Sequence, residues 1–385
     1  MRTVVVAGAL ANKPHNGGEA WVRLSWVLGF RALGLDAYLI EQVAPDRCVA
    51  SDGGPAPFEA SANRAWFRQV AEAFGLAERA GLVCGDGQAI DGLGRHELFA
   101  LAEDALLVNI SGNLEWPELF ARFRRTAYVD IDPGFTQAWH AAGVLPCLDR
   151  HDLHYTVGER VGQSGCLIPA GDVEWRPIRQ PVVLDLWPVC RQGRRDRFTT
   201  VACWRPPFGA PEFGGRRFGL KHHEFRKFIE IPERISQTCE VALNIDNTDD
   251  RDLELMRRRG WEIVDPMEKA GDPEAFRRYV QESGAELSVA QGVYVETASG
   301  WFSDRTTRYL ASGKPALVQD TGFSSRHDRG MGLIPFRTLD DVVAGAASIR
   351  ERYDEHCAAA RSLAERFFDS AVVLGRFAEQ TGLRP

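Results

Sequence analysis

A chain of 385 residues, 44% apolar and 26% charged, exceeds one ordinary core and fits two domains of a soluble globular protein. Its net charge of −7 argues against general binding to nucleic acid or anionic membranes. Eight cysteines with no CxxC pair supply neither a zinc template nor a compact disulfide framework, so free thiols in a reducing cytoplasm are expected.

The N-terminus MRTVVVAGALA superficially resembles a signal peptide, but its apolar run is short and leads straight into a loop and an amphipathic helix. A first strand over TVVVAGA explains it better, and no run approaches the roughly 18 apolar residues of a membrane span. After the loop LANKPHNGG, apolar Trp21, Leu24, Leu28 and Ala32 recur at helical spacing until Gly34. DAYLIEQ is the next strand, which completes a β-loop-α-β unit and implies a parallel sheet with right-handed crossovers.

The alternation continues through a helix ending at Gly75, strands ALLVNISGN and TAYVDIDPG, a short helix FTQAWHAAG and a strand LHYTVGE. That makes five strands up to about residue 170. Residues 176–198, rich in proline and mixed charge, are the expected linker between a first domain, 1–175, and a second, 199–365. In the second, strands FTTVACW, EVALNI, WEIVDP, AELSVAQ and ALVQ alternate with helices from Lys221, DRDLELMRRRG, DPEAFRRYVQESG and 303–312. Helices close the chain, and the last segment, 366–385, is expected to cross back towards the first domain. The fold class is α/β: two Rossmann-like domains facing each other across a cleft. In such sheets ligands sit outside the carboxyl ends of the strands.

That rule selects a few loops. NKPHNGG lacks the GxGxxG of a dinucleotide site, which removes the main support for hydride transfer. Gly17 and Gly18 would let backbone approach an anion at a helix start, and His15 beside them is a candidate base. YVDIDPG carries Asp130 and Asp132; the letters DxD invite a metal reading, but Asp132-Pro133-Gly134 equally makes a turn capping the next helix. No metal is assigned there. Asp132 is kept as a catalytic candidate, with Asp130 and Asn113 on the acceptor side. In HDLH, a strand would point His151 and His154 to opposite faces, which defeats joint ligation.

Gly214-Gly215, Arg216 and Lys221 offer a glycine turn, a guanidinium and an ammonium near a helix start, a pattern suited to a diphosphate; a solvated basic loop is the plain alternative. In ASGWFSDRTTRYLASGKPALVQDTG, Ser303 is the expected cap, which leaves the amides of Asp304, Arg305 and Thr306 at the positive end of the helix. Arg305 is unfavourable in a first turn on its own, and a bound phosphate would reverse the sign of that effect.

SDRTTRYLASGKPALVQDTG resembles the donor-site helix-turn-strand of the GT-B glycosyltransferases, whose members often read E-x-x-x-E-A-M-A-x-G-x-P-V. The shared elements are the helix, Ala311-x-Gly313-x-Pro315 and the apolar strand after it. The step from Arg216 to Lys221 is similar to the family's contacts to the donor diphosphate, and Gly17-Gly18 resembles its N-terminal phosphate loop. Arg308 stands where the pattern has its second Glu, which is closer to the spore-maturation-protein-like branch.

The resemblance implies a nucleotide diphosphate sugar as co-substrate, with no cofactor or metal. Arg216, Lys221, Arg305, Arg308 and the amides after Ser303 would hold the donor, and a small-molecule or glycan acceptor would take the sugar on a hydroxyl. A sugar-nucleotide epimerase and a non-catalytic nucleotide-sugar-binding protein are the alternatives.

Overall fold

The computed structural model describes residues 1–145 and 147–384, so Pro385, the end of the expected last segment, lies outside it. Two sheets carry the molecule. The first has eight strands: β1 (Thr3–Ala7), β2 (Asp36–Val43), β3 (Ala80–Cys84), β4 (Ala89–Gly92), β5 (Ala105–Ile110), β6 (Arg125–Asp130), β7 (Leu153–Thr156) and β8 (Trp175–Pro177). Their order is β4-β3-β2-β1-β5-β6-β7-β8, and only the β3–β4 pair is antiparallel. The second holds β9 (Arg197–Cys203), β12 (Thr238–Asn244), β13 (Glu262–Val264), β14 (Ala285–Ser288), β15 (Ala316–Gln319) and β16 (Leu333–Phe336). All its pairs are parallel, in the order β13-β12-β9-β14-β15-β16. A separate hairpin, β10 (Glu212–Phe213) and β11 (Arg216–Arg217), interrupts the chain after β9.

The five strands expected before residue 170 are present, joined by two more, β3 and β4. Gly81, Gly85, Gly87, Asp91 and Gly92 break up the apolar run that would have signalled them. The expected linker is partly strand, because β8 extends the first sheet into it and β9 begins at Arg197.

The two units share one apolar cluster, from Trp21, Trp26 and Phe30 through Trp187 and Phe276 to Tyr309, Phe368 and Phe377. The Gly17–Ala32 helix is at its centre. Asn16 caps it by accepting from the Glu19 amide at 3.1 Å. Its Trp21 donates to the Pro273 carbonyl at 2.7 Å and packs edge-on to Trp187 at 4.9 Å. The Ser370–Thr381 helix returns to the first unit, where Phe377 meets Trp26, Phe30 and Tyr155 at centroid distances of 5.6, 5.9 and 4.8 Å. Linker and return crossing travel together, since Val182 exchanges backbone hydrogen bonds with Phe368 and Ser370.

Trp21, Trp26, Trp66 and Trp187 serve this packing, while the buried Trp116, Trp204 and Trp261 belong to separate apolar clusters within the units. His151 and His154 do not point apart; their rings are 6.4 Å from each other, each hydrogen-bonded to a backbone carbonyl.

Candidate active site

A cavity of about 410 Å³ lies between the two sheets. From the first unit it is lined by His15, Asn16, Gly18 and Glu19 at the start of the first helix, and by Asp132 after β6. Facing them are Val201 to Cys203 at the end of β9, Asn244 at the end of β12, Pro266 and Met267 after β13, and Trp301, Asp304 and Arg305. The carboxyl ends of both sheets therefore open onto one space.

Ser303 caps the Asp304–Ala311 helix, its hydroxyl accepting from the Arg305 amide at 3.2 Å. Thr306 is buried behind that turn. The counter-charge that the sequence led us to expect from a bound phosphate is supplied to Arg305 within the protein. Its Nε donates to Glu286 at 2.7 Å, Nη1 to the Val201 carbonyl at 2.8 Å and Nη2 to Ser288 at 2.6 Å. Burial disfavours its charge, but the wholly buried Glu286 more than offsets that. Glu286 lies far from Arg305 in the chain, so no local pattern could pair them.

Lys221 is buried at the start of its helix and donates to the Val289 carbonyl at 2.6 Å. Burial, aided by the nearby Arg305 charge, pushes its pKa down to about 7. Arg216 goes elsewhere. On the exposed hairpin it pairs with Glu296 at 2.6 Å, and it is not part of the cavity wall. Arg308 also turns away: it is 1% exposed, bonded to Asp304 at 2.7 Å, with Nη2 3.4 Å from Ser25 on the first helix. It joins the units rather than facing the cleft, and burial lowers its pKa.

On the opposite wall, Asp132 accepts from the Tyr294 hydroxyl at 2.9 Å, a bond across the cleft. Burial raises its pKa to about 6, helped by Glu19 and Asp130 and opposed by Lys13 and the Tyr294 bond. Asp130 is fully buried and saturated, accepting from Thr136, Gln137 and Thr156 at 2.7, 3.0 and 2.7 Å and from the Asp132 amide at 3.0 Å. Burial raises its pKa too, and its visible task is to hold the loop that presents Asp132. Asn113 donates to the Ile110 carbonyl at 2.6 Å and lies outside the cavity wall. His15 is exposed with a positive φ of 57°, its ring 5.2 Å from Trp66.

The glycine pair divides its work. A Cβ on Gly17 would stand 2.1 Å from the Asp272 carbonyl oxygen, so this glycine lets the two units meet. Gly18 lines the cavity. Glu19, which no local motif marks in the sequence, faces the cleft: burial alone would raise its pKa, but Lys13 and Arg23 bring it to about 2. Glu41 likewise stands in no motif, because its partners come from the loop after another strand. It accepts from the amides of Leu10, Ala11 and Asn12 at 2.7, 2.6 and 2.7 Å, filling with a carboxylate the turn after β1 where an anion would otherwise fit.

No protein-family model and no curated protein sequence matches this chain. Solved structures do match over almost all of it. An alpha-glucosyltransferase in complex with UDP aligns with TM-score 0.62 at 10% identity, covering 99% of each chain. Anabaena Alr3699/HepE in complex with UDP and glucose aligns at 0.57 and 11%, again over 99% of each. AviGT4, a glycosyltransferase involved in avilamycin A biosynthesis, gives 0.56 and 14%, over 99% of this chain and 97% of its own.

The fold is GT-B. In this GT-B frame the cavity takes the interdomain position, with the Asp304–Ala311 helix pointing its amino end at it from the second unit and Asp132 presented by the first. Lys221, Arg305, Ser303, Asp304, Gly18, His15 and Asp132 are gathered at or beside the GT-B cleft, while Arg216, Arg308, Asn113 and Asp130 are engaged elsewhere.

Proposed function

We propose that the protein transfers a sugar from a nucleotide diphosphate sugar to an acceptor hydroxyl. The observation that carries this reading is the cleft itself: a helix amino terminus and Arg305 on one wall, with Lys221 buried nearby, and a carboxylate of raised pKa on the other. The nucleoside would lie against Val201 to Cys203, Asn244, Pro266 and Met267. The diphosphate would then face Arg305, Lys221 and the amides after Ser303. Departure of the nucleotide builds negative charge, and fixed donors in a water-poor cleft stabilise it without reorganising. Lys221 would gain its full charge as the diphosphate arrives, because a neighbouring anion raises an amine pKa. Asp132, ionised above about pH 6, would take the proton from the acceptor hydroxyl, with Tyr294 holding one of its oxygens.

The test is a thermal-shift panel of UDP, GDP, dTDP and their sugars. Ligand at a hundred times its dissociation constant adds about 2.7 kcal/mol to stability. At least one diphosphate is expected to raise Tm, and Lys221→Met to reduce the shift. Arg305→Lys serves better than Arg305→Ala, which would strand Glu286. No shift with any nucleotide sinks the transferase reading.

A further inference from the structure

A second cavity, of about 580 Å³, opens between the segment after β9, the β10–β11 hairpin and the start of the Lys221–Lys227 helix. It shares no described lining residue with the cleft, and its Phe208 and Phe218 belong to the same aromatic cluster as Phe135, Tyr294 and Trp301. Arg205, Arg217, His222 and His223 line it, with Phe208 and Phe218 as apolar walls and no carboxylate among the described lining residues.

The two imidazoles have determined tautomers. His222 Nε2 lies 3.0 Å from Arg205 Nη1, which can only donate, so Nε2 carries the lone pair and Nδ1 the proton. That Nδ1–H is buried and has no hydrogen-bond partner, on a residue that is 3% exposed. His223 Nδ1 accepts from the Leu220 amide at 3.0 Å, which leaves the proton on its Nε2. Burial, with the charges of His223, Arg205 and Arg226, lowers the His222 pKa to about 4, so the ring is neutral at pH 7 and holds this single tautomer.

Arg205 is already matched, both guanidinium branches bonding Asp249 at 2.6 Å. Arg217 is exposed and makes no ion pair and no side-chain hydrogen bond among the described residues. An orphaned N–H under the cavity wall, a second imidazole N–H and a guanidinium unpaired among the described residues thus lie at this cavity, with no carboxylate among its described lining residues. A buried donor left unpaired costs about 1–3 kcal/mol, which an accepting ligand would recover.

We propose that this cavity is a binding site for a tetrahedral oxyanion, a phosphoryl or sulfuryl group carried on an aromatic or apolar molecule, held by Arg217, His222 and His223 with its apolar part against Phe208 and Phe218. Several separate donors suit the three terminal oxygens of such a group better than the two of a carboxylate. The site does not depend on the transferase reading, because its residues lie outside the cleft wall.

The experiment titrates inorganic phosphate, phenyl phosphate, phenyl sulfate and benzoate into the full chain, with and without saturating UDP, following affinity by calorimetry and the imidazole nitrogens by NMR. Phosphate is expected to move the His222 and His223 signals whether or not UDP is present. Phenyl phosphate or phenyl sulfate should bind about tenfold tighter than inorganic phosphate through the two phenylalanines, the preferred ester telling the phosphoryl source from the sulfuryl. Arg217→Ala, a change at an exposed position, should weaken each by about tenfold. Unmoved imidazoles, unchanged affinity in Arg217→Ala, or benzoate binding as tightly as the esters would overturn the proposal. Failure of UDP to bind, with the imidazoles still responding to phosphate, would count against the transferase reading alone.

Discussion

Asp132, half-buried, and Glu41, fully buried, are both carboxylates with raised pKa values, yet they serve different ends. Asp132 faces the cleft at about 6, so as a base it is active only above that value. The transfer rate should climb with pH through about 6, and Asp132→Asn should lower turnover by about 10²–10⁴-fold while leaving donor affinity unchanged; steady-state kinetics against pH check both. Glu41 faces three amides instead, and burial lifts it from 4.5 to about 7. A raised carboxyl pKa means the folded state prefers the proton, so this contribution is complete below pH 4.5 and is lost as pH rises through about 7. Between those limits the stability of the native chain relative to Glu41→Gln should fall as pH increases, as urea titrations at several pH values would reveal. Equal dependence in both would refute it. Asp132 could be singled out in the sequence because it ends an apolar strand before Pro-Gly. Glu41 could not, since the amides that it binds come from another strand's loop.

At the scale of the element, the first helix shows how one glycine can serve assembly and the next can serve a site. A Cβ at position 17 meets the Asp272 carbonyl at 2.1 Å, but at position 18 its nearest neighbour is the Phe276 ring at 3.4 Å. Gly17→Ala should therefore destabilise by about 1–3 kcal/mol, as overpacking does. Gly18→Ala should cost little stability, and helix propensity even favours it by up to about 1 kcal/mol. Chemical denaturation of the two variants side by side decides the point, and equal losses would refute it. The Asp304–Ala311 helix was legible down to its Ser303 cap and its Gly313 stop, because caps are local chemistry. Whether Arg305 faced solvent, ligand or protein was not legible: Glu286 and Ser288 reach it from β14.

Across the whole molecule, the last helix ties the chain's end to its beginning. Phe377 is 1% exposed and packs against Trp26, Phe30 and Tyr155. Phe377→Ala should cost about 3–5 kcal/mol and speed hydrogen exchange of the β1 and β5 amides, although it lies far from the cleft; protection unchanged in those strands would mean the return helix is only appended. The alternation of strands and helices, the break near the linker and the helix-turn-strand ending in ALVQ follow from local periodicity, caps and breakers, and these by themselves determine two parallel α/β units with helices at the end. Which charges remain free for a ligand was decided only by the tertiary structure. Arg216 and Arg305 are alike as residues, but Glu296 and Glu286 claim them from distant parts of the chain, because Coulomb and desolvation energies depend on distance in space and not on separation along the chain.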